Sequence, residues 1–332
     1  MIKLKLPPLV IRPLQVLTAI VCLVILGELS LYLIGYEGNP AAWDVRLQIA
    51  DHKVGVPDDL LFWRPPIDPS FPDDKIKVLC VGDQVGLGPQ SGGWPEVLQQ
   101  RLLDLPLERQ AAIFNGCVDG YSSTQGLRYV ERHLGLEPDV IVSCFGVNDY
   151  QTAKLGLPDD QFQHPSSSTM SFRSRALRSR GYRFYREVLY DLRRIFKIGQ
   201  RENVLRVSID RFEGNMDRLV QHGEVDGIDV LLMTSPAPNL DQQWLAEHRR
   251  YNERLRKVGR DTGAPVIDLE QTFESNLKLF IESERHPERL SPEGAQVMAL
   301  AVRDALLNSG VVRLSIDGFK PSGIEGAENA ER

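Results

Sequence analysis

Between residues 75 and 312 the sequence alternates short apolar runs with longer amphipathic stretches, and few architectures tolerate that pattern. The runs are 76–81, 111–114, 140–145, 228–233 and 265–269. Most are apolar almost throughout. A strand with one wet face alternates apolar and polar residues, so near-continuous runs predict strands covered on both faces, as in a parallel sheet. Helical patterns fall between them at 94–105, 124–134, 209–221, 242–260 and 292–307. Ser208 is placed to cap the third. Ser291-Pro292-Glu293 supplies a cap, a proline at the first helical position and an acid at the positive helix end. Five strands alternating with helices predict an α/β fold, a flavodoxin-like doubly wound parallel five-stranded sheet between two helical layers. Ligands of such sheets bind at the carboxyl ends of the strands, so chemistry is sought there.

The N-terminus predicts the compartment. From 14 to 36 the only charged residue is Glu28. A helix of that length reaches about 34 Å, enough for a hydrocarbon core of about 30 Å. Glu28 lies a little past the middle and needs protonation, a partner helix or a span that starts earlier. Lys3, Lys5 and Arg12 precede the run, while Glu37, Asp44 and Asp51 follow it. The positive-inside tendency then puts residues 1–12 in the cytoplasm, a transmembrane helix at 13–36 and the remainder outside. The rival reading is a cleaved signal peptide with 14–27 as its core, but no A-x-A site follows that core. A proline- and aspartate-rich linker is expected at 37–74, the α/β domain at 75–312 and a disordered polar tail at 313–332.

One segment interrupts the domain at 151–201. Its stretch 173–201 carries Arg173, Arg175, Arg178, Arg180, Arg183, Arg186, Arg193, Arg194, Lys197 and Arg201, opposed only by Glu187 and Asp191. The whole chain has a net charge of −6 and a pI near 5.6, so the segment is a local reversal of sign. It reads either as a lid helix with a solvated basic face or as a surface for lipid headgroups or an anionic glycan. The acidic total argues against nucleic acid as a partner. Cys22, Cys80, Cys117 and Cys144 have no metal-ligand spacing and read as free thiols, and no cofactor or metal is expected.

The strand ends carry the candidate site. The first run leads into Gly82-Asp83-Gln84-Val85-Gly86, which is neither a dinucleotide fingerprint nor a P-loop. The second leads into Asn115-Gly116-Cys117-Val118-Asp119-Gly120-Tyr121-Ser122-Ser123, and the third into Gly146-Val147-Asn148-Asp149. His286-Pro287-Glu288-Arg289-Leu290-Ser291-Pro292-Glu293-Gly294 stands late in the chain.

In this order, on these elements, the four segments resemble the SGNH (GDSL-type) hydrolases over about 76–310. With the N-terminal run, the chain looks like the bacterial membrane-anchored branch of that family. The resemblance implies a serine nucleophile in the first block, with a glycine of the second and an asparagine of the third completing an oxyanion hole. It implies an aspartate and a histidine base in Asp-x-x-His in the last. Gly120 and Asn148 match the oxyanion positions. Gln84 stands at the serine, His286 at the aspartate and Arg289 at the histidine. A carboxamide is not an acyl-accepting nucleophile, and a guanidinium is no base at neutral pH.

The expectation is therefore a non-catalytic protein of the inner membrane, its domain outside the cytoplasm. It would bind an acyl or glycan ligand or an envelope protein partner, with Asp83, Asn148 and Arg289 as candidate binding residues. Two alternatives stay open. One is an esterase or O-acyl hydrolase using His286 with a displaced nucleophile such as Ser122 or Ser123, whose bland role is helix capping. The other is an envelope-assembly component acting through the basic segment.

Overall fold

The computed structural model describes residues 8–37, 56–58, 62–64, 70–87, 93–153, 158–161, 176, 178–195, 204–237, 242–281 and 289–315. His286, most of the expected tail and much of the expected linker lie outside these residues. In chain order the elements are α1 (Pro8–Leu33), β1 (Val56–Asp58), β2 (Phe62–Arg64), β3 (Ile76–Gly82), α2 (Trp94–Leu103), β4 (Ala111–Asn115), α3 (Ser123–His133), β5 (Val140–Cys144), α4 (Arg180–Ile195), α5 (Ile209–Asp226), β6 (Asp229–Met233), α6 (Gln242–Thr262), β7 (Val266–Ile267), α7 (Glu270–Glu274) and α8 (Pro292–Asn308).

The five apolar runs form five parallel strands in the order β4-β3-β5-β6-β7. The sheet grows outward in both directions from β3, which is the doubly wound arrangement. Central β5 is buried at every position and β3 at all but Lys77, as continuous apolar runs require. On one face Trp94, Leu98 and Leu102 of α2 meet Met298, Val302 and Leu306 of α8 over Val78, Cys80 and Val142. The helices α3, α5 and α6 pack together as the other layer. Strand β7 is shorter than the run 265–269, and β1 and β2 pair as a small antiparallel ribbon inside the expected linker. Cys80, Cys117 and Cys144 are buried free thiols, raised well above the usual thiol range by desolvation, and Cys22 is exposed and free.

The chain divides into two compact units. Met1–Ile49 and Gln163–Gln200 form one; Ala50–Phe162 and Arg201–Arg332 form the other. In the first, α1 packs against α4. Among the described residues no helix is long and apolar enough to cross a membrane, so the crossing expected over 13–36 rests on sequence.

Candidate functional site

The end of β3 turns sharply because Asp83 caps the single 3₁₀ turn Gln84–Gly86. Its Oδ1 accepts from the Val85 N–H at 2.9 Å. The turn also needs Gly86, where a Cβ would stand 2.1 Å from Cys117 Sγ. Asp83 is fully buried, which suits a turn-former better than the ligand-binding role expected of it.

This turn aims Gln84 at the two expected oxyanion positions. Its Oε1 accepts from the Gly120 N–H at 3.2 Å and from Asn148 Nδ2 at 2.7 Å. Its Nε2 donates back to Asn148 Oδ1 at 3.2 Å. The carboxamides of Gln84 and Asn148 thus form a reciprocal pair, and both residues are 2% exposed. Gly120 has φ +76°, a left-handed turn that glycine adopts without strain. Asn148 Nδ2 also donates to the Tyr121 carbonyl at 2.8 Å, and its Oδ1 accepts from Gln151 Nε2 at 3.0 Å. An asparagine amide offers two donors and two lone pairs, and all four are occupied.

An oxyanion hole works by holding donors ready for charge that develops on a substrate oxygen. Here the Gln84 carbonyl oxygen already receives the two expected donors. A serine is too short to do this. Glutamine at the same position reaches the hole and fills it with an amide of the chain itself.

Arg289, at the position matching the family's base, is half-buried and donates to Asp119 Oδ2 at 2.7 Å. The ion pair joins the loop after β4 to the segment before α8. Ser291 caps α8 by accepting from the Gly294 N–H at 3.1 Å, and its hydroxyl donates to the Lys278 carbonyl at 2.8 Å. Gly294 is required there, since a Cβ would lie 2.0 Å from the Leu279 carbonyl oxygen. His286 lies outside the described residues.

Ser122 and Ser123 both serve the start of α3. Ser122 is its N-cap in a capping box with Gln125. Ser123 is engaged with Asp149, whose carboxylate accepts from the Ser123 N–H at 3.0 and 3.2 Å and from its hydroxyl at 2.5 Å. Asn215 Nδ2 donates to the same hydroxyl at 2.9 Å. Both serines are fully buried; Ser122 caps the helix, and the Ser123 hydroxyl is held between Asp149 and Asn215. Burial pushes the Asp149 carboxyl up to about 7, against the opposing hydrogen bonds from Ser123. Nearby, Arg206 forms a buried ion pair with Asp159 at 2.8 Å and donates to Gln125 Oε1 at 3.0 Å. His248 is 1% exposed, with Nε2 2.7 Å from the Ser235 carbonyl, and burial lowers its pKa.

A model of the GDSL-like lipase/acylhydrolase family matches residues 80–297. The chain belongs to that family. Its solved structural neighbours include a lipase/acylhydrolase from Enterococcus faecalis, 15% identical with a TM-score of 0.48, covering 72% of this chain and 98% of its own. The acetyl xylan esterase AlAXEase is 19% identical with a TM-score of 0.47, covering 70% of this chain and 100% of its own. No curated protein matches the chain. Within the GDSL-like family frame, Gly120 and Asn148 stand where the resemblance puts oxyanion donors. Sequence reasoning missed that Gln84 would occupy them, that Asp119 would neutralise Arg289 and that Gln151 would complete the Asn148 shell.

Proposed function

We propose that this chain is a membrane-anchored, non-catalytic member of the GDSL-like family, acting outside the cytoplasm at the bacterial inner membrane by binding an envelope partner or glycan. One observation carries the reading: the reciprocal Gln84–Asn148 amide pair uses the donors that acyl transfer would need. Arg289 in its ion pair with Asp119 supplies no base. A filled hole also weighs against an acyl ligand seated there, so recognition shifts to the outer surfaces. The anchor is supported by the run 14–36 and by the basic residues before it and acidic ones after it.

The test is hydrolysis of a short activated acyl ester by the domain lacking residues 1–36, beside a His286→Ala variant. No turnover in either is expected. Turnover that disappears in His286→Ala would overturn the non-catalytic reading and favour an esterase with a displaced nucleophile.

A further inference from the structure

Helices α1 and α4 meet around the carboxylate of Glu28. Glu28 of α1 accepts from the Ser179 hydroxyl at 2.8 Å and from the Arg180 and Gly181 N–H groups at 2.6 and 2.7 Å. Those two amides open α4, where unsatisfied N–H groups and the helix dipole favour an anion. Gly181 permits the approach, since a Cβ there would lie 3.1 Å from Glu28 Oε2. Arg180 reinforces the joint by donating to the Tyr32 carbonyl at 3.1 Å, with its guanidinium 4.7 Å from the centroid of the Tyr32 ring. Beyond the end of α1, Tyr36 is bonded to Glu187 and meets Phe184 edge-on.

The remaining surface of α4 is sharply divided. Phe184, Tyr185, Val188, Leu192 and Ile195 are 38–70% exposed. At about 100° per residue these five fall within an arc of roughly 100°. Arginines of the basic segment 173–201 flank that arc in the sequence. The described side chains of α1 from Leu23 to Leu26 are exposed too, at 58–69%.

We propose that α4 lies on the headgroup surface of the bilayer that α1 enters, its apolar arc in the acyl boundary and its arginines on anionic lipid phosphates, with Glu28 holding it at that depth. The inference rests on the anchor reading above. Three observations favour a lipid surface over other occupants. The sign of the 173–201 segment opposes that of the chain and complements anionic headgroups. Exposed apolar side chains on α1 and on α4 belong to one unit, so both would meet the same bilayer. A second copy packed on the same arc would bring two basic segments together. The joint also explains how an acid is tolerated in an apolar span, because three donors from the same chain meet it.

The test uses the full chain with Cys22→Ser and Val188→Cys, labelled with an environment-sensitive fluorophore. The other three thiols are buried. The protein is reconstituted into phosphatidylcholine vesicles with or without phosphatidylglycerol. The expected result is a blue-shifted probe with phosphatidylglycerol, a smaller shift without it, and loss of the shift in Glu28→Leu, a change that makes α1 more apolar. No shift in a chain that resists carbonate extraction would overturn the placement of α4 and leave the anchor standing. A chain stripped by carbonate would overturn the anchor and this inference together. Equal shifts in the two vesicle types would overturn the recognition of charge. A shift that persists in detergent with a doubled mass would assign the arc to a second copy.

Discussion

At the scale of single residues, the chemistry turns on how far one side chain reaches. Gln84 and a serine leave the same turn, but only the glutamine carries a carbonyl out to Gly120 and Asn148. Removing it strands two buried donors. Each buried donor without a partner costs about 1–3 kcal/mol, so Gln84→Ala should lower stability by roughly 2–6 kcal/mol in urea titrations. Asn148→Ala removes the same pair from its other side. The two changes should therefore be non-additive, with a coupling on the order of 1 kcal/mol in a double-mutant cycle. Additive costs would mean the amides do not form one unit. That Gln84 stands at the end of β3, where the resemblance puts a serine, was legible in the sequence, because the Gly-Asp-x turn leaves little freedom of register. The self-filled hole was not. Neither hydropathy nor motif spacing encodes which polar atoms pair when both are buried.

At the scale of elements, the start of α3 is the most heavily bonded junction of the site. Asp149, one residue after Asn148, accepts from both the N–H and the hydroxyl of Ser123. Its carboxyl is pushed up to about 7 by burial. In the unfolded chain an aspartate titrates near 4. Between those values the folded protein binds more protons than the unfolded one, so stability falls as pH rises. The contribution of Asp149 is complete below about pH 4 and is lost as pH passes through about 7. Chemical denaturation across that window should show this decline, and Asp149→Asn, which has no proton to exchange, should flatten it. An unchanged slope in the variant would assign the pH dependence elsewhere. The sequence placed this junction well, since the helix pattern at 124–134 and the serines before it announce a capped start. It did not indicate that the cap would be shared with an acid from the next strand end, because that contact depends on how far apart β4 and β5 lie in the sheet. The starts of α5 and α8, with Ser208 and Ser291 as caps, were readable for the opposite reason: their partners lie within three residues.

At the scale of the whole molecule, the alternation of apolar runs announced the five-stranded parallel sheet, while the make-up of the two units lay beyond it. Glu28 meets Ser179, Arg180 and Gly181 across about 150 positions, and periodicity carries no information over that separation. The α/β unit is cut by the 163–200 segment, yet it closes the cut itself. The Ala153 N–H donates to the Val204 carbonyl at 2.7 Å, Arg206 N–H to Gln151 at 2.8 Å and Asp159 N–H to Arg206 at 2.7 Å. The buried Arg206–Asp159 ion pair lies at the same neck. Breaking such a pair at one partner costs about 3–5 kcal/mol, so the neck is firmly specified. Residues 163–200 should therefore be dispensable to the fold of the α/β unit. A chain lacking 1–49, with 163–200 replaced by a short Gly-Ser linker, should unfold in one cooperative transition by circular dichroism. Because loop closure costs only about 0.6 kcal/mol per doubling of length, the shorter loop should raise stability by roughly 1–2 kcal/mol at most. Arg206→Ala in that shortened chain should remove more stability than the linker adds. A shortened chain without a cooperative transition would mean that the basic segment is part of the α/β fold and not an insertion carried on a self-closed neck.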